Sequence, residues 1–169
     1  GDYDGLILPS ISVWTDMPAV SLLGSQSAGW RLSVGKYFAM GSGPARALAK
    51  KPKELYAKIE YSDESDVAVV VLEATEKPSG EVLSYIADEC GIRTRQLYAL
   101  VVPTSSIAGS VQISGRIAEM GLHKLMYVGF DPKKVLSVYG VAPIAPVHPK
   151  FSRAMGRTND MLLFAGVTY

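Results

Sequence analysis

Gln112, Arg116, Glu119 and His123 recur at offsets of four, three and four, the repeat of one face of a helix. The stretch that carries them, VQISGRIAEMGLHKLMYVG, is otherwise mainly apolar or small. Arg116 and Glu119 stand three residues apart, close enough to touch on a helix. A carboxylate beside an arginine has the makings of a general base. Partial burial raises its pKa from about 4.3, while the cation lowers it and fixes its direction. The alternative is an exposed ion pair contributing about 0–1 kcal/mol, although Arg before Glu is the less favourable order for such a pair. Val111, Ala118, Leu122 and Leu125 flank the polar stripe on one side, and Ile113, Ile117 and Met120 on the other. Apolar flanks on both sides predict one helix that is mostly buried. Gly115 and Gly121 each cost such a helix about 1 kcal/mol relative to Ala, so something is expected to approach it closely. On the residues alone both readings of the pair stay open, and Gln112 and His123 stay with support or surface.

Three other segments concentrate polar groups. GSGPAR, 41–46, has small residues that let backbone N–H groups approach an anion at a helix start. It lacks the GK[ST] ending of a P-loop and the spacing of a dinucleotide fingerprint, so a plain tight turn competes with a phosphate site. PTSSIAGS, 103–110, follows a strand and precedes a helix, where open α/β sheets bind ligands. Capping of that helix by a hydroxyl is the alternative. GRTND, 156–160, packs a guanidinium, a hydroxyl, an amide and a carboxylate before an apolar run. Asn159 offers both a donor and an acceptor to a heterocycle edge, and Asp160 an acceptor for ring N–H groups. An Asx-turn with a surface ion pair explains the same residues. Two distant histidines, His123 and His148, and one cysteine give no metal-ligand spacing such as HExxH or CxxC. No GxSxG elbow is present.

The elements that must position these residues alternate. Strands are predicted over 6–13, over WRLSVGKYFAM, over 66–74 as a central strand, over 97–103 as a second buried one, within VLSVYGVAPIAP, and over 161–168. Helices are predicted over PAVSLLGSQSAG, after the GSG turn, over PKELYAKI, over PSGEVLSYIADECG and over the striped stretch. That order predicts an α/β or α+β arrangement with part of the sheet parallel. The proline-rich loop 143–149 is short and apolar, and is expected to be ordered.

At 169 residues, 48% of them hydrophobic and 20% charged, the chain has the composition of a folded protein that can bury a sizeable core. A net charge of +1 gives no bulk attraction to nucleic acid or to a membrane surface. No apolar run reaches the roughly 20 residues of a membrane span. The single cysteine, Cys90, favours a reducing, cytoplasmic setting. Both ends run directly into strand-like sequence, so residues 1–169 read as a single α+β unit from inside a longer protein.

GSGPARAL, VVPTSSIAGSVQISGRIAEMGLHK, GVAPIAPVHP and AMGRTND, taken together and in this order, resemble the methenyltetrahydromethanopterin cyclohydrolase family over essentially the whole chain. The stretch from VGFDPKKV to AMGRTND resembles its bacterial, formaldehyde-oxidising branch. The resemblance implies an α+β fold of mixed sheets with flanking helices, in two lobes with a substrate pocket between them. It implies a cytoplasmic homotrimer that hydrolyses 5,10-methenyl-tetrahydromethanopterin reversibly to the 5-formyl form in one-carbon metabolism. No metal and no redox cofactor is implied; tetrahydromethanopterin is the substrate carrier. In the R-x-x-E of the family's helix, Glu119 takes the place of the acid–base residue and Arg116 that of its partner. Ser42, Gly43, Arg46, Thr104, Ser105, Ser106, Arg157, Thr158, Asn159 and Asp160 are implied as binding elements. Family members extend beyond both ends of the chain, so a non-catalytic pterin-binding or assembly fragment is a second reading. A phosphate- or nucleotide-binding enzyme using GSGPAR is a third.

Overall fold

A computed structural model describes residues 1–169. In chain order it contains the short strands β1 (Asp2–Tyr3) and β2 (Leu6–Ile7), then β3 (Ser10–Thr15), a π-helix (Ala19–Gln26), β4 (Trp30–Val34) and β5 (Tyr37–Ser42). Helices α1 (Ala45–Ala49) and α2 (Lys53–Ile59) follow, then β6 (Ala68–Glu73), α3 (Gly80–Glu89) and β7 (Leu97–Val101). The remainder is α4 (Ile107–Ser114), α5 (Ile117–Tyr127), β8 (Val138–Pro143), α6 (Phe151–Ala165) and β9 (Val167–Thr168). The chain divides into two compact units: Gly1–Leu22 with Pro103–Tyr169, and Leu23–Val102. Each is a sheet with helices packed on it, so the expected α+β class holds.

The inserted unit, Leu23–Val102, is built on a four-stranded sheet of order β4-β5-β6-β7. The first three strands are antiparallel, and β6 and β7 are parallel, joined by α3 as a crossover. WRLSVGKYFAM makes a hairpin, with Gly35 at φ 57° in its turn. Trp30, Leu32, Val70, Leu72, Val82 and Ile86 are at most 3% exposed and form the core. β6 is the inner strand expected for 66–74. β7 is not buried on both faces: it lies at the sheet edge, with Tyr98 and Leu100 exposed. A run rich in apolar residues can sit at an edge when only its alternate side chains face a core.

The other unit carries an antiparallel sheet of order β3-β8-β9, with α4, α5 and α6 packed on it. Ile113, Ile117, Ala142 and Leu162 form its core, with Met120 against them. Two expectations fail here. Residues 161–168 are not one strand: α6 runs from Phe151 through Ala165, and only Val167–Thr168 pair with β8. GRTND is therefore helical rather than a loop. Its lone glycine is too weak a break to end a helix whose Ala154, Thr158 and Leu162 recur at i, i+4 and i+8 and are all buried. The striped stretch is also not one helix. It breaks between Ser114 and Ile117, with Gly115 capping α4 and Arg116 opening α5.

Candidate functional site

The break sets where Arg116 and Glu119 stand. Gly115 N–H reaches back four residues to Val111 O, Arg116 N–H only three to Ile113 O, and Met120 N–H then resumes the four-residue bond on Arg116 O. The step resembles a 3₁₀ turn, which commonly joins helical segments. Arg116 is thus the first flanking residue of α5, and Glu119 stands in its first turn. A helix start carries partial positive charge and favours a carboxylate there.

Glu119 is only 8% exposed. Carboxylates are seldom buried to that degree without partners. The turn that holds it lies directly on the sheet. A Cβ at Gly140 of β8 would come within 2.9 Å of Ile117 and 3.0 Å of the Ala118 nitrogen, so the glycine in β8 is what lets this turn sit so close. Of the stripe's two glycines, Gly121 has the same explanation, whereas Gly115 is in ordinary contact distance only. A Cβ on Gly121 would strike Thr168 of β9 at 2.6 Å, and one on Gly115 would rest against Ile11 of β3 at 3.4 Å. At Gly121 the close approach is made by β9 of the protein itself.

Gln112 is the residue that sequence reasoning undervalued. Its Oε1 accepts from Arg116 Nε at 3.1 Å and from Arg116 Nη2 at 2.9 Å. The i, i+4 spacing was the available signal. Ser110 and Ser114, also passed over, are both at most 1% exposed, and donate to Ala145 O at 2.6 Å and Pro143 O at 2.9 Å. They bolt α4 to the end of β8 and the loop after it. Hydroxyls four apart on an otherwise apolar face were the clue. His123 is exposed, one turn beyond Glu119.

The 103–110 turn behaves first as a helix start. Ser106 Oγ accepts from Gly109 N–H at 3.0 Å and donates to Pro103 O at 2.6 Å. Thr104 is buried at 1% exposure and Ser105 is half-buried. Arg157 turns back onto the proline-rich loop, with Nη1 donating to Val147 O at 3.0 Å. Thr158 is buried and donates to Met155 O, while Asn159 and Asp160 are exposed. Four consecutive residues on a helix point about 100° apart, so Arg157 to Asp160 do not share one patch.

The GSGPAR segment is built around its own interior. Gly43 has φ 99°, and a Cβ there would lie 2.9 Å from Val69 O, so glycine is required. Its N–H is bound to Ser25 O at 2.7 Å. Ser42 beside it is 5% exposed. Arg46 is fully buried. Its Nη1 donates to Ser27 O at 2.6 Å and Leu23 O at 3.0 Å, and its Nε to Lys51 O at 2.9 Å. Tyr56 covers the guanidinium and donates its hydroxyl to Gly24 O at 2.5 Å. Burial pushes the Tyr56 phenol up to about 12. Arg46 therefore pins residues 23–29 around the turn, and shapes whatever surface that loop presents without reaching it.

No three of His, Cys, Asp and Glu converge on a point that could hold a metal ion. No helix is long and apolar enough to cross a membrane.

The chain matches a protein-family model described as Cyclohydrolase (MCH) over residues 1–169. It is 51% identical to the methenyltetrahydromethanopterin cyclohydrolase of Methanococcoides burtonii over 99% of its own length and 52% of the relative's. It is 53% identical to the protein of that name from Methanocaldococcus jannaschii, over 98% of this chain and 51% of the relative. For the one from Methanothermobacter marburgensis the identity is 54%, over 96% and 51%. The chain thus spans about half the length of the curated relatives it matches.

Proposed function

The chain belongs to the cyclohydrolase (MCH) family, and from that premise we propose that it carries the acid–base centre of a methenyltetrahydromethanopterin cyclohydrolase. The observation that carries the reading is a buried carboxylate, Glu119, in the first turn of a helix opened by an arginine that is itself held in place. The substrate is 5,10-methenyl-tetrahydromethanopterin, whose methenyl carbon lies between two nitrogens and is already electrophilic. A water needs only to be placed and deprotonated as it attacks.

Glu119 takes one proton of that water as its oxygen bonds to the methenyl carbon. The bond from that carbon to N10 then breaks, and Glu119 returns the proton to N10. The remaining hydroxyl proton leaves to solvent as the formyl C=O forms on N5. The balance is one water consumed and one proton released per substrate cation. Arg116 orients Glu119 and favours its ionised form against desolvation. The carboxylate in turn stabilises the cationic substrate. The chemistry calls on no metal and no redox cofactor, because the electrophile is supplied ready-made. Ser42 and Gly43, Thr104 to Ser106, and Arg157 to Asp160 remain binding elements in this reading, with Arg46 acting through the loop it pins. The protein is read as a cytoplasmic homotrimer in one-carbon metabolism.

One observation favours a second reading, a pterin-binding fragment without turnover: the chain spans 51–52% of its relatives' length. Loss of methenyl absorbance, followed with proton release in weakly buffered solution, separates the two. Turnover with one proton per substrate is expected. Binding of the methenyl compound without turnover would support the fragment, and neither binding nor turnover would contradict both.

A further inference from the structure

We infer that Gln112 is a positioning residue for this centre: it holds one edge of the Arg116 guanidinium and thereby determines which edge is presented to the reacting groups. The inference rests on the cyclohydrolase reading above.

Arg116 Nε and Nη2 both donate to the single oxygen Gln112 Oε1, at 3.1 and 2.9 Å. These two nitrogens make up one edge of a planar, rigid fork of donors. With that edge committed to Gln112, the N–H groups of Nη1 and the outer N–H of Nη2 are the ones directed to other partners. Only the oxygen of a carboxamide accepts, so two converging N–H groups also fix the amide's own orientation and send its NH₂ away from the arginine.

The clamp has a fixed base. Gln112 lies midway between Ser110 and Ser114, whose buried hydroxyls tie α4 to Ala145 and Pro143. Helix α4 cannot roll or slide without breaking those bonds. The arginine backbone sits at the break between α4 and α5, where the helical path tightens at Arg116 N–H. A long arginine side chain leaving such a joint has many rotamers. Tying it to a bolted helix removes that freedom before substrate arrives, as preorganised electrostatic stabilisation requires.

The test uses this chain and two variants. Gln112→Leu removes the acceptor, and Gln112→Glu keeps one. The Arg116 side chain is followed by its ¹⁵Nε–¹H signal, alongside kcat, KM and the unfolding midpoint. In the parent, Arg116 Nε–H is expected to exchange slowly. In Gln112→Leu that protection is lost and kcat falls by about 10- to 100-fold, with KM and the midpoint unmoved. Gln112→Glu restores the protection. The inference is overturned if Gln112→Leu keeps the protection, if kcat stays within about twofold of the parent, or if the loss of rate follows a lowered midpoint. Absence of turnover in the parent overturns the cyclohydrolase reading instead. The Nε–H signal then decides the clamp by itself: protection that Gln112→Leu abolishes supports it, and fast exchange in the parent overturns it.

Discussion

Arg46 and Arg116 both follow a Ser-Gly pair, in GSGPAR and in ISGRIAE, yet the two regions use the cation in opposite ways. Arg46 is fully buried and spends its donors on backbone carbonyls of residues 23, 27 and 51. Backbone carbonyls cannot move without moving the chain, so the charge there is architecture. Arg116 is half-buried, and a side-chain amide holds one edge of it. The two arginines differ in the kind of acceptor that holds them, and residue type and local glycine content do not reveal it.

Removing each cation should break the symmetry most sharply. Arg46→Met leaves several buried carbonyls without their donor and is expected to cost about 3–5 kcal/mol in urea unfolding. Arg116→Met should cost less stability than Arg46→Met, because Arg116 is only half-buried and gives up fewer buried bonds, while abolishing most turnover. Similar stability losses for the two would erase the distinction.

The comparison also shows how much the sequence could say. The apolar periodicities located most elements, including β6 at the inside of its sheet, and the spacing of Arg116 and Glu119 marked the candidate pair on which the proposed function rests. The break at Gly115 and Arg116 was hidden because a tightened turn keeps the i+3 and i+4 pattern nearly intact. The helix through GRTND was hidden because polar residues on its solvent side resemble a turn. The fate of Arg46 depended on carbonyls as far as 23 residues away, beyond any local pattern. Gln112 was visible, but its partner was ambiguous until the backbone fixed which side chains meet.

A smaller effect sharpens the architectural side. Tyr56 belongs to the Arg46 cluster, and burial raises its phenol from 10.0 to about 12. The unfolded chain releases that proton near pH 10, while the native state keeps it. The unfolded state therefore binds fewer protons between about pH 10 and 12, and stability falls as pH rises through that window. Cys90, raised by burial from 9.0 to about 11, adds an earlier fall of the same sign. Tyr56→Phe should remove the upper part of this alkaline loss, amounting to about 3 kcal/mol, and leave the part due to Cys90. An unchanged alkaline limb in Tyr56→Phe would detach the tyrosine from the cluster's energetics.

On the proposed function, the α4–α5 junction is where a proton is handled, and Glu119 is the group that handles it. The most direct measurement is the initial rate of methenyl-tetrahydromethanopterin hydrolysis by the chain and by Glu119→Gln, with unfolding midpoints matched. A rate lower by about 100-fold or more in the variant is predicted, the usual scale for a general acid–base group. Equal rates in two equally stable proteins would contradict it.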